Sequence, residues 1–204
     1  MTEGLSERQR AKRAQIIDAA HRMFLANGFA GTSIDAIVAE AGVSKQTLYT
    51  YFPTKIELLA AVLYGGISEI SLPSGEPVAL NSRDDLRRLL VGFSVQITRN
   101  LLEPEAIALV RLVLGEVFRV LELRKVFRDA LPGQLLAQVQ AILIRAAGQG
   151  LIRLSDPDLA ARMFVGPLMT YIALDGFLSA EPANPPSVRQ LEKMVDAFLT
   201  LVEA

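Results

Sequence analysis

The chain has no cysteine and no tryptophan, a single histidine, and only 6% aromatic residues among its 204. Without cysteine there are no disulfides, no thiolate metal sites and no cysteine nucleophile. With His21 as the lone imidazole, no multi-histidine metal site can form, and a Ser-His-Asp arrangement has one candidate base. Long hydrophobic runs are missing as well. The longest uncharged apolar stretch, Met163–Leu174, is too short to span a bilayer, so no membrane partner is expected. The basic N-terminal residues lead into a segment broken by Asp18 and Arg22, which does not read as a signal peptide. What is present is 51% apolar and 21% charged residues, enough to build a sizeable core and too apolar for disorder. A soluble, cytoplasmic protein of one compact domain or two small ones follows as the expectation.

The net charge of −1 conceals a small asymmetry. Residues 1–55 carry seven Lys and Arg against five Asp and Glu, and the remainder carries the acidic excess. Arg8, Arg10, Lys12 and Arg13 crowd the start. Such a run commonly marks the solvated start of a helix, and the asymmetry alone leans only slightly toward nucleic acid.

Apolar residues recur at i, i+3 and i+4 almost throughout, and no stretch alternates long enough to argue for a strand. Ile16, Ile17, Ala20, Met23 and Phe24 form one helical face, which Asn27-Gly28 should stop. Thr32 is expected to start a short helix to about Glu40, with Asp35 as an acidic capping partner. Gly42 ends it, and Ser44 caps another to about Tyr51. Phe52-Pro53 breaks the chain, and Thr54-Lys55-Ile56-Glu57 reads as a capping box opening a helix to about Ser71. Pro73, Ser74, Gly75 and Pro77 mark the best internal loop. Further helices are expected over about 82–102, 104–119, 121–130, 133–148, 157–179 and 187–203, with Pro104 and Pro157 at first helical positions.

Two short helices separated by Ala41-Gly42-Val43 and preceded by a longer one describe a three-helix unit of the kind that reads DNA. Ile34, Ile37, Val38, Val43, Leu48 and Phe52 can pack toward Phe24 and Phe29. The outer face of the second short helix is then left with Lys45, Gln46, Thr47, Tyr49, Thr50 and Tyr51: donors, acceptors and hydroxyls, with no acid among them. At about 1.5 Å per residue this helix spans roughly 12 Å, a fit to the major groove.

The run Thr32-Ser33-Ile34-Asp35-Ala36-Ile37 followed by Ala41-Gly42-Val43-Ser44-Lys45-Gln46-Thr47-Leu48-Tyr49-Thr50-Tyr51-Phe52-Pro53-Thr54-Lys55, behind Ile16–Phe29, resembles the TetR family of transcriptional regulators. The motif covers about residues 14–60. More faintly, Pro104–Phe127 and Gly150–Ala160 look like AefR-type effector domains. The resemblance implies an all-α fold: an N-terminal three-helix helix-turn-helix unit, residues 1–55, joined to a helical effector-binding and dimerisation domain, residues 56–204. It also implies a homodimer on a double-stranded, palindromic DNA operator, usually a repressor released by a small molecule, with no cofactor. Carried over by position, Lys45, Gln46 and Thr50 face bases. Ser33, Ser44, Thr47, Tyr49, Tyr51 and Lys55 face phosphates. Two positions depart from the common pattern: Gln46 stands where Gly is frequent, and Val38 where Ala is frequent.

Within the C-terminal body, resemblance implies an effector cavity, for which Phe93, Gln96, Ile97, Asn100, Arg111, Phe118, Phe127 and Tyr171 are candidates. The effector expected is apolar or amphipathic. The apolar faces of residues 157–179 and 187–203 are expected to pair across a two-fold axis through Leu168, Tyr171, Leu174, Phe177, Met194, Phe198 and Leu201. Two rival readings are weaker. An enzyme would need a nucleophile elbow, phosphate loop or paired-carboxylate motif, and none is found. A helical scaffold using the N-terminal unit for protein contacts has no need of a hydroxyl-rich, acid-free helix face.

Overall fold

The computed structural model describes residues 6–68 and 80–202. Among them are ten α-helices and no strand: α1 Glu7–Gly31, α2 Ile34–Ala41, α3 Lys45–Tyr51, α4 Lys55–Ser68, α5 Arg83–Leu101, α6 Pro104–Val117, α7 Leu121–Arg128, α8 Gln134–Gly148, α9 Pro157–Ile172 and α10 Val188–Leu201. Two π-helical turns, Asp129–Gly133 and Ala173–Phe177, follow α7 and α9. The Pro73–Pro77 loop and the expected ends of α4 at Ser71 and α10 at residue 203 lie outside the described residues. The chain divides into two compact units. The first holds the residues up to Ser68 together with Ala108–Ala130, and the second holds the rest. Within the first unit α4 packs against α1 and α7.

In the first unit, Ser6 opens α1 with a reciprocal capping box: its hydroxyl accepts from the Gln9 amide at 3.3 Å, and Gln9 Oε1 accepts from the Ser6 amide at 2.8 Å. Ile16, Ala19, Ala20 and Phe24 are fully buried on one face of α1, where α2 and α4 pack. Gly28, at φ 74°, breaks the helical path as its sequence suggests, but one more turn follows to Gly31. Thr32 does not start α2. It is buried, and its hydroxyl donates to the carbonyls of Met23 at 2.9 Å and Gly28 at 2.7 Å, closing the break in α1. Ser33 is the cap instead. Phe24, Phe29, Ile37, Leu48, Phe52 and Leu58 form the core, with the Phe24 and Phe29 rings 5.6 Å apart. Each such side chain contributes roughly 1.5–3 kcal/mol by leaving water. Ile34, Val38 and Val43 are only half-buried.

In the second unit α5 packs against α9 and α10, and α8 against α9. Phe164 lies between Phe93 and Phe198, with ring centroids at 6.3 and 5.1 Å. Arg87 grips Asp196 with two hydrogen bonds of 2.5 and 2.9 Å, and Arg83 donates to the Leu199 carbonyl at 2.6 Å, so α5 and α10 are tied at two levels. Asp156 caps α9 by accepting from Leu159 N at 3.0 Å, ahead of Pro157, as expected. The helix expected through residue 179 ends at Ile172 and continues as the π turn, where Gly176 meets Leu102 closely.

This packing bears on two groups of expectations and corrects Leu168, Phe198 and Phe118 within them. Leu168 and Phe198, expected to face a second copy, are buried inside their own unit, because the apolar stripe of each helix is wide enough to supply both a core and a surface. Leu174 and Leu201 do face outward, 60% and 67% exposed, and Leu159, Met163 and Leu178 are exposed as well. Tyr171, Phe177 and Met194 are half-buried. Of the cavity candidates, Phe93 and Ile97 are core, Gln96, Asn100, Phe127 and Tyr171 are half-buried, and Arg111 is exposed. Phe118 is 78% exposed and is not enclosed as a cavity residue would be. An open cleft of about 430 Å³ in the second unit, lined by Val95, Thr98, Arg99, Leu102, Val188 and Leu191 among others, contains none of these eight.

Candidate nucleic-acid interface

The turn between α2 and α3 is set by one residue. Gly42 adopts φ 58°, ψ 38°, and its N–H donates to Ala39 O at 3.2 Å while the Val43 N–H donates to Val38 O at 3.2 Å. This pair of bonds is a Schellman motif, which satisfies the last carbonyls of α2 and turns the chain sharply into α3. A β-carbon at residue 42 would meet no neighbour, so the requirement for glycine is the left-handed backbone itself. Ser44 then caps α3, its hydroxyl accepting from Thr47 N at 3.1 Å and lying 2.8 Å from the Thr47 hydroxyl.

Leu48 is the buried anchor of α3, and around it Lys45, Gln46, Tyr49 and Thr50 stand exposed while Thr47 and Tyr51 are half-buried. Ser33, Ser44 and the α3 residues therefore gather on one small unit, with Lys55 following at the first position of α4. Several carry internal duties. Ser33 and Ser44 are caps, and the Thr50 hydroxyl donates to the Gln46 carbonyl at 2.9 Å, leaving its methyl and lone pairs for an external contact. The Thr54 hydroxyl accepts from Glu57 N at 3.1 Å and so caps α4, but the Glu57 carboxylate meets the Thr54 hydroxyl at 3.4 Å rather than its amide, so the expected capping box is only half made.

The cations are held individually. Lys45 Nζ lies 2.9 Å from Asp35 Oδ1, an acid that α2 brings to the otherwise acid-free face. That hydrogen bond, and the carboxylate's charge behind it, hold the Lys45 ammonium above its usual pKa. Lys55 Nζ lies 4.4 Å from the Phe29 ring centroid, and burial pushes its pKa down against the opposing charge of Glu116. Arg13, on the α1 face turned toward the C-terminus of α3, lies with its guanidinium carbon 5.2 Å from the Phe52 ring centroid. The Asp35–Lys45 pairing was missed in the sequence, where Asp35 reads as a capping acid. Its only signal is a spacing of ten residues across a tight turn.

Among the described residues, no group of three His, Asp or Glu side chains could hold a metal ion, and no helix is long and apolar enough to cross a membrane.

Residues 16–62 match the model of the family described as bacterial regulatory proteins, tetR family, and residues 88–203 that described as AefR-like transcriptional repressor, C-terminal domain. An uncharacterised HTH-type transcriptional regulator of Mycobacterium tuberculosis is 28% identical over 178 residues, 86% of this chain and 79% of the relative. The solved structure of a flavonoid-responsive regulator, FrrA, is similar with a TM-score of 0.71 at 28% identity, covering 94% of this chain and 95% of that one. A structure from Mesorhizobium loti ascribed to the TetR-family transcriptional regulators has a TM-score of 0.72 at 26% identity, covering 98% and 100%.

Proposed function

Because the chain belongs to the tetR family of bacterial regulatory proteins, we propose that it binds a palindromic operator as a homodimer and represses transcription until a small apolar or amphipathic effector releases it. The observation that carries this reading is the α3 face: Lys45, Gln46, Tyr49 and Thr50 stand exposed on a helix held by a Schellman turn and a serine cap. Lys45 and Gln46 in the first turn suit base edges, lysine donating to guanine O6 and N7 and glutamine pairing with adenine N6 and N7. Thr50 offers a methyl and an acceptor beside them. Ser33, Ser44, Thr47, Tyr49, Tyr51 and Lys55 are assigned to phosphates, which fix register without reading sequence.

In this reading residues 1–55 read the operator and residues 56–204 bind effector and dimerise. Exposed Leu159 and Met163 on α9, Leu174 in the π turn after it and Leu201 on α10 favour a second copy as the partner that buries them. Repression, rather than activation, is favoured by the AefR-like repressor description of the family matched by residues 88–203, and effector control by the flavonoid response of FrrA. Such a role belongs in the cytoplasm.

The test is a titration of the full chain against the DNA flanking its own gene. A shift of one band at dimer stoichiometry, weakening steeply with salt, is expected. Binding as a monomer, or affinity that is flat between low and moderate salt, would contradict the reading.

A further inference from the structure

We propose that Asp35 and Lys45 act together to read one G·C base pair in one orientation, Asp35 deciding which strand carries the guanine. The inference rests on the DNA-reading role proposed for α3 and adds to it a residue of α2.

Asp35 lies in the first turn of α2 and Lys45 is the first residue of α3; the turn at Gly42 brings their side chains to 2.9 Å. The carboxylate is 74% and the ammonium side chain 52% exposed, so the pair is not a buried lock, and surface pairs of this kind add little to stability. An acid beside the base-facing lysine is instead a liability near phosphates unless it finds a donor. The donors available in the major groove are cytosine N4 and adenine N6.

A G·C pair displays complementary groups at matching spacing. Guanine O6 and cytosine N4 are hydrogen bonded to each other at about 2.9–3.0 Å, the separation of Lys45 Nζ and Asp35 Oδ1. An ammonium has three donors, so it can serve guanine O6 and N7 while keeping Asp35, and Asp35 Oδ1 has a second lone pair with which to accept from cytosine N4. Reversing the pair to C·G sets the ammonium against an amino group and the carboxylate against O6, unfavourable at both ends. T·A keeps one acceptor and one donor in place but replaces N7 with the thymine methyl. A·T reverses both. The preference at this position is therefore G·C, then T·A, then the two reversed pairs. Lysine alone would not impose this order, because its flexible four-carbon stem can follow guanine onto either strand.

The experiment selects binding duplexes from a random library with the full chain, its Asp35→Ala and Asp35→Ser variants, and Lys45→Ala. Two Asp35 variants are used so that a folding defect in one does not decide the result, and melting is recorded for each. The wild type is expected to enrich a half-site with one position held as G·C in a fixed sense. Both Asp35 variants should accept G·C and C·G alike there, losing roughly tenfold discrimination in titrations against the single reversed pair, with the other positions unchanged. Lys45→Ala should lose the guanine contact and weaken the preference at that position, and adding Asp35→Ala to it should remove what remains there. If the Asp35 variants keep the orientation preference and only bind every duplex more tightly, Asp35 acts by general repulsion and the inference fails while DNA reading by α3 stands. If the wild type enriches no duplex, both fail together.

Discussion

Lys55 Nζ stands 4.4 Å from the centre of the Phe29 ring, so the first residue of α4 is seated on the last turn of α1. A lysine at a helix N-terminus is unfavourable by the helix dipole, and here an aromatic face offsets that cost while burial adds to it.

Lys55→Ala is expected to weaken binding to all duplexes alike and to lower the salt slope by about one unit, because a phosphate contact carries no sequence information. A change in base preference measured against single-base operator variants would contradict the phosphate role.

The two lysines should also part company with pH. Burial lowers the Lys55 pKa from its ordinary 10.5, so its protonated form destabilises the fold at neutral pH, and that cost is relieved as pH rises through the lowered value. A bound phosphate favours the charged form and pulls the other way. In the protein without DNA, approaching 10.5 from below, Lys55 loses its charge before Lys45, which Asp35 keeps protonated longer. Following the two ammonium groups by NMR as pH rises should show Lys55 titrating first. The reverse order would contradict the burial of Lys55.

Gly42→Ala is expected to cost about 1–2 kcal/mol, the left-handed penalty of an L-residue, since the added methyl meets no neighbour. Gly42→Asn should cost less, asparagine tolerating this conformation better. Urea unfolding of the two variants checks the order, and equal losses would point to a contact rather than the backbone.

Phe198→Ala removes a ring stacked edge-on against Phe164 at 5.1 Å, and should cost about 3–5 kcal/mol of stability. Leu174→Asp and Leu201→Asp alter exposed positions and should leave the protomer folded, with its circular dichroism unchanged, while sedimentation shows monomer. An intact dimer in both Asp variants would place the interface elsewhere.

Gly176→Ala would set a β-carbon 2.7 Å from Leu102 Cδ2. Such overpacking costs about 1–3 kcal/mol. Combining it with Leu102→Ala should cost less than the two single changes added together, because the second makes room for the first. Strict additivity in thermal melts would mean the contact is relieved some other way.

Local chemistry made the helices and the reading head legible in the amino-acid sequence. Gly42 demands a left-handed turn wherever it sits between two capped helices, Ser44 and Asp156 cap whatever follows them, and Leu48 must turn inward when its neighbours are all polar. These are short-range effects, decided within one or two turns of chain. Tertiary structure decided what depends on residues far apart. Thr32 became a buried brace for α1 because Met23 and Gly28 offered carbonyls, leaving Ser33 to cap α2. Asp35 became the partner of Lys45 because a turn folded α2 and α3 side by side. Along residues 157–179 and 187–203 the helical period places Leu168, Leu174, Phe198 and Leu201 on apolar faces without saying which part of each face is core. Only packing against α5 and between α9 and α10 buried Leu168 and Phe198 and left Leu174 and Leu201 in water. Hydrophobicity specifies that a side chain seeks cover, and the arrangement of the helices determines which cover it finds.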